Sequence, residues 1–139
     1  MASVFLVSEL NRVREFYAVA GYKGNVEPGD IVVGVSRGED LVGVVRIANE
    51  HGIRVLRGMR VKPEFQRQGV GGQMLERIRS LLEGMECFAI AYAQLEGFYG
   101  RIGFCRCDER KAPPFLRERI EKYRKENLEQ EFILIRKPV

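Results

Sequence analysis

Residues 57–75 read RGMRVKPEFQRQGVGGQML, and the order of their parts decides the fold. A strand-like run over 53–62 is stopped by Pro63, which fixes its own backbone angle and has no N–H for a ladder. A glycine-bearing loop follows and opens directly into a stretch with Met74, Leu75, Ile78, Leu81 and Leu82 at helical spacing. The first amides of a helix have no partner inside it, and the aligned peptide dipoles place partial positive charge there. Gly69, Gly71 and Gly72 carry no side chain, so an anion can approach the main chain closely, and Lys62 and Arg67 add mobile positive charge. Strand, glycine loop and helix in this order build a cradle for a pyrophosphate.

Two common phosphate loops are excluded. The nucleoside-triphosphate loop needs Lys and Ser or Thr after its last glycine, but Gln73 and Met74 follow Gly72. The dinucleotide fingerprint lacks its third glycine. What remains is Gln66-x-x-Gly69-x-Gly71, preceded by Val61-x-Pro63. Downstream, Phe98-Tyr99-Gly100-Arg101-Ile102-Gly103-Phe104 puts a tyrosine near the end of a short helix, ahead of a glycine and a strand. The two motifs resemble the coenzyme A loop and the FYxxxGF signature of the GNAT-type N-acetyltransferases. They come in the family order, with a strand-like run between them, and cover the central half of the chain. The resemblance implies an α/β (α+β) fold: a mixed, mostly antiparallel sheet of about seven strands with helices on both faces.

At 139 residues, with 45% hydrophobic and 30% charged residues, the chain is expected to form a single domain, 1–139, with one ordinary core. No apolar run approaches the ~20 residues of a membrane span, so no membrane partner is expected. The start, MASVFLVSELNRV, lacks the basic lead of a secretory signal. Cys87, Cys105 and Cys107 are an odd number without zinc-knuckle spacing, and the lone His51 is distant in sequence, so reduced thiols in a cytoplasmic protein are expected and no metal. The net charge of +4 comes from interleaved signs, as in RERIEKYRKENLEQE over 117–131, which reads as a solvated helix face. No basic block interleaved with aromatics appears, so nucleic acid is not expected. Excess positive charge also speeds encounter with a polyanionic cofactor.

Along the chain, 2–7 reads as a strand. Ser8 is positioned to cap a helix that runs to about Ala20 and ends at Gly21. Strands over 30–37, 41–49 and 53–62 form a meander with turns at 38–40 and 50–52. The helix after the glycine loop spans 69–83 and stops near Gly84. The apolar run 87–93 suits a buried central strand. A short helix over 95–102 leads to a strand from Phe104 that Ala112-Pro113-Pro114 interrupts. A helix over 115–127, with Leu116, Ile120 and Tyr123 inward, precedes a closing strand over 131–137. The helix inside 108–129 departs from the simple hairpin usual in the family.

The resemblance also implies chemistry. Acetyl-coenzyme A would be the co-substrate, its pantetheine lying between strand 53–62 and a splayed parallel neighbour, 87–93. Met59, Arg60 and Val61 would hold it through main-chain groups, with an amide near Met59 or Val61 facing the thioester oxygen. The pyrophosphate would sit on amides of Arg67, Gln68, Gly69, Val70, Gly71 and Gly72. Tyr99 would be the acid that protonates the leaving thiolate. The family's ribosomal-protein branch has a glutamate and an asparagine where this chain has Cys87 and Tyr92. Glu96, Glu86 and His51 are weak substitutes, and a water-mediated route for the amine proton is favoured. Cys87 lacks an evident partner for a nucleophilic role. Acceptor recognition falls to 16–26 and 105–134, where Tyr17, Tyr22 and Glu27 are candidates beside a basic flank of Arg106, Arg110, Lys111, Arg117 and Arg119. The expected activity is transfer of an acetyl group to a primary amine, on a small molecule or a protein, by direct attack in a ternary complex. The alternative is an acyl-coenzyme A-binding sensor without turnover. A monomer or homodimer is expected.

Overall fold

The computed structural model of the protein describes residues 2–126 and 130–138. Their contacts divide into two compact units, Met1–Leu81 and Leu82–Val139.

The first unit contains β1 (Ala2–Leu6), α1 (Leu10–Ala20), β2 (Ile31–Arg37), β3 (Asp40–Glu50), β4 (Ile53–Val61) and α2 (Val70–Leu81). Its strands lie in the order β1-β2-β3-β4, each pair antiparallel. The expected meander is present, and its turns explain its tightness. Gly38 takes φ +60° between β2 and β3, while His51 and Gly52 take φ +54° and +79° between β3 and β4. Positive φ in a two-residue turn matches the right-handed twist of the flanking strands.

β3 is buried from Leu41 to Ala48 because both of its faces are covered. Toward one face, Gly43 leaves room for α2: a Cβ there would lie 2.7 Å from Val70 Cγ1 and 3.2 Å from Met74 Cε. Toward the other, Val44 packs with Val13, Phe16 and Tyr17 of α1 and with Val7, Val26, Val32 and Leu41. Of the residues expected at helical spacing, Met74, Leu75, Ile78 and Leu82 are buried and Leu81 is half-buried, and Val70 is buried at the helix start. At the start of α1, Glu9 rather than Ser8 occupies the capping position and makes no side-chain cap bond. Gly21, at φ +74°, ends that helix as expected.

The second unit contains β5 (Cys87–Tyr92), α3 (Glu96–Gly100), β6 (Cys105–Arg106), α4 (Pro114–Glu126) and β7 (Glu131–Arg136). Its strands lie in the order β5-β7-β6, again antiparallel. β6 is only two residues long and ends well before Ala112. The chain leaves β7 at Cys107 and enters a 3-10 turn over Glu109–Lys111, whose start is capped by Asp108 accepting from the Arg110 amide at 3.0 Å. Pro113 and Pro114 therefore open a helix rather than interrupt a strand, since a proline loses no helical bond at the first position. Leu116 and Ile120 are buried on α4, as expected, and Tyr123 is half-buried. The expected helix end at Asn127 lies outside the described residues.

Candidate active site

β4 is interrupted where its main chain was expected to bind. Val44 pairs with Arg60 and Arg46 with Arg57, so Val45 faces two residues, Gly58 and Met59. This is a β-bulge, which leaves the extra residue out of the ladder and increases the local twist. Gly58 takes φ +67°, and the Tyr17 hydroxyl donates to its carbonyl at 2.9 Å. Met59 and Val61 are half-buried and Arg60 is exposed. Sequence reasoning missed the bulge, although a lone glycine inside a strand pattern is its usual signal.

The glycine loop follows. Pro63–Phe65 form a 3-10 turn, with the Phe65 amide on Lys62 O at 2.9 Å and the Gln66 amide on Pro63 O at 3.3 Å. The Gln66 side chain donates to Val61 O at 3.1 Å, tying the loop to the end of β4, and Gln68 donates to Glu64 O at 3.0 Å. Arg67 and Gly69 both have left-handed backbones, φ +63° and +82°. The first main-chain bond of α2 runs from the Gln73 amide to Gly69 O at 3.0 Å. The amides of Val70, Gly71 and Gly72 therefore precede the helix's own ladder. Arg67, Gln68 and Gly69 are exposed, and Gly71 and Gly72 half-buried, while the Val70 side chain is buried against Gly43. The six residues assigned to the pyrophosphate thus form one continuous turn at a helix start.

On the α1 side of this unit lies an aromatic and cationic cluster that sequence reasoning only half anticipated. Tyr17 and Tyr22 were candidates, and their rings lie 4.6 Å apart. Burial raises the Tyr17 pKa above the ordinary tyrosine range, partly offset by the nearby Arg46 charge. The phenol therefore remains a donor. Arg46 was not anticipated: it is 2% exposed, pairs with Asp30 Oδ2 at 2.9 Å and reaches the Tyr22 hydroxyl at 3.4 Å. Glu27 contributes its main-chain amide, which donates to Asp30 at 3.0 Å, and its side chain is exposed.

In the second unit, Tyr99 is half-buried on α3. Its ring meets Phe98 and Phe104 edge-on at centroid distances of 5.1 and 6.1 Å. The chain reverses at Gly103, φ +99°, with the Ile102 and Phe104 amides donating to Tyr99 O at 3.2 and 3.4 Å. Arg136 braces this reversal by donating to Ile102 O at 2.6 Å and Leu82 O at 2.8 Å.

None of the weighed base positions offers a poised carboxylate. Cys87 is fully buried, and Tyr92 and Glu86 are exposed. His51 lies in the exposed turn between β3 and β4. Glu96 is not simply solvated: it accepts from Arg106 Nε at 3.0 and 3.1 Å, and Arg106 lies 3.7 Å from the Phe132 ring centroid. Among the described residues no cluster of three or more His, Cys, Asp or Glu is placed to hold a metal, and no helix is long and apolar enough to cross a membrane.

The chain matches the family model of the acetyltransferase (GNAT) domain over residues 28–106. No curated protein matches it. Among solved structures, it is similar to Escherichia coli ElaA, with a TM-score of 0.71 at 15% identity, covering 99% of this chain and 100% of that one. It is similar to the ribosomal-protein-S18-alanine N-acetyltransferase of Escherichia coli, with a TM-score of 0.67 at 14% identity, covering 98% of this chain and 93% of that one. It is also similar to the PaiA N-acetyltransferase of Thermoplasma acidophilum in complex with coenzyme A, with a TM-score of 0.60 at 13% identity and 99% of both chains covered. At such identities the likeness establishes the fold. Among the described residues, seven strands and four α-helices in this order are the acyl-coenzyme A N-acyltransferase fold that the two motifs implied.

Proposed function

This chain belongs to the GNAT acetyltransferase family, and from that premise we propose that it transfers an acetyl group from acetyl-coenzyme A to a primary amine by direct attack in a ternary complex. One observation carries the reading: the turn from Gln66 to Gly69, set by two left-handed residues, delivers the amides of Val70, Gly71 and Gly72 at the start of α2, without main-chain partners among the described residues. Main-chain donors fixed in this way suit a diphosphate, and helix-start charge favours it further.

In this proposal, Met59, Arg60 and Val61 hold the thioester arm through main-chain groups beside the bulge. An amide of Met59 or Val61 faces the thioester oxygen, where it stabilises the developing negative charge. The neutral amine attacks the carbonyl carbon, a C–N bond forms, and the C–S bond breaks as the tetrahedral intermediate collapses. Tyr99 gives its phenolic proton to the departing thiolate, and the amine's surplus proton leaves through water. A phenol's reference pKa of about 10 is close to that of an alkyl thiol, so the transfer is nearly balanced. The pairing of Glu96 with Arg106 favours the water route over a side-chain base.

Tyr99→Phe tests the assignment, because it keeps the ring contacts with Phe98 and Phe104 and removes the hydroxyl that would supply the proton. Thiol release from acetyl-coenzyme A with an amine panel is expected to fall about 10²–10⁴-fold, while calorimetry shows coenzyme A affinity nearly unchanged. Undiminished turnover would remove Tyr99 from the mechanism. Tight binding with no thiol release from any amine would instead support an acyl-coenzyme A sensor.

A further inference from the structure

We propose that the acceptor amine carries a carboxylate, recognised by the Arg60 guanidinium and the Tyr22 hydroxyl. The inference rests on the N-acetyltransferase reading and names its substrate class.

Three arginines stand on the α1 side of β3 and β4. Cross-strand partners share a face; Arg60 is opposite Val44, which packs with α1, and Arg57 is opposite Arg46. Two of the three are neutralised. Arg46 pairs with Asp30 and Arg57 with Glu50, each at 2.9 Å. Arg60 is exposed and has no carboxylate partner among the described residues. It is nonetheless held in place: its Nη1 donates to Met59 O at 2.8 Å, and its guanidinium carbon lies 4.5 Å from the Tyr22 ring centroid. Its other N–H groups have no protein acceptor among the described residues.

Tyr22 links this free cation to a buried one. Its oxygen accepts from Arg46 Nη2 at 3.4 Å, which leaves its own proton to donate outward. Arg46 is buried, and its Nε has no hydrogen-bond partner among the described residues. Among the arginines on this face of β3 and β4, Arg60 is thus the one without a carboxylate partner among the described residues, and it stands next to the strand break where the thioester arm is assigned. A guanidinium presents a planar fork that matches a carboxylate in two parallel bonds, and the phenol supplies a third. A second ammonium on the acceptor, as in a diamine, would be repelled here.

The test is thiol release from acetyl-coenzyme A with matched acceptors: amino acids, their carboxamides, aminoalkylphosphonates and diamines. The amino acids are expected to have a kcat/KM at least about tenfold above their carboxamides, the scale of one or two charge-assisted hydrogen bonds. Arg60→Gln is expected to raise the amino acid KM about 10–100-fold and to erase the preference over the carboxamide. Tyr22→Phe should produce a smaller change in the same direction. Preferential use of carboxamides, phosphonates or diamines would overturn the inference and leave the transferase reading standing. So would an Arg60→Gln effect that falls equally on all acceptors. Failure of acetyl-coenzyme A to bind, or of every amine to react, would overturn both.

Discussion

Gly58→Ala probes the bulge on which both the thioester assignment and the Arg60 inference stand. An L-residue in the left-handed region costs about 1–2 kcal/mol, and Gly58 sits there at φ +67°. The added Cβ would also lie 2.4 Å from the Tyr17 hydroxyl oxygen and 3.1 Å from Tyr22 Cε2. Tyr17 is 2% exposed, so it has little room to swing aside. Either the hydroxyl gives up its bond to Gly58 O, at about 1 kcal/mol, or neighbours shift, at about 1–3 kcal/mol for overpacking. The total is about 2–5 kcal/mol, a large share of the ~5–15 kcal/mol that keeps a domain folded. Urea unfolding is expected to show this loss as a lower midpoint with little change in slope. In a Tyr17→Phe background the tightest contact disappears and mainly the backbone term remains, so the same substitution should cost only about 1–2 kcal/mol. The difference is a coupling energy of the kind a double-mutant cycle isolates. A loss below about 0.5 kcal/mol, or the same loss in both backgrounds, would refute the reasoning.

Two further predictions concern the same face. Burial holds the Tyr17 pKa above its unfolded value of about 10, so the folded state binds that proton more tightly. Its contribution is fully present below pH ~10 and is lost as pH rises toward the folded value; urea midpoints between pH 8 and 11 should therefore fall more steeply for the wild type than for Tyr17→Phe, and equal slopes would contradict this. Asp30→Ala leaves Arg46 charged and buried without its carboxylate, which should destabilise the fold by about 3–5 kcal/mol in thermal unfolding. Asp30→Ala combined with Arg46→Met should recover much of that loss, because no buried charge then remains.

The meander, the helix after the glycine loop and the apolar run at 87–93 were legible because each has a local signature: alternation, helical spacing with glycine stops, or a short apolar stretch between polar flanks. β6 was overestimated for a tertiary reason. Pairing with β7 holds only Cys105 and Arg106, and the Asp108 cap then turns the chain away. The loop residues could be read in advance because glycines announce a main-chain site. Arg46 could not, since an arginine within LVGVVRIA gives no sign of its depth and its partner Asp30 lies sixteen positions earlier. The Glu96 pairing was hidden for the same reason: its partner Arg106 is supplied by the chain reversal at Gly103.

The groups assigned to binding are largely main-chain, so their placement is decided by side chains that touch no ligand. Val70 fills the space that Gly43 leaves on β3, and this fixes where α2 begins and where its unpaired amides point. Tyr17 packs in the core of the opposite face and bonds Gly58, and this fixes where β4 breaks. Each side of β3 thus pairs a glycine with a buried partner, one setting the anion loop and the other the bulge beside Arg60. Damage to either pair should first appear as lost affinity or misalignment at main-chain donors, with the proposed acid Tyr99 left in place. Substitutions at Gly43 or Tyr17 are therefore expected to weaken acetyl-coenzyme A binding, a different signature from the loss of turnover at constant affinity expected for Tyr99→Phe.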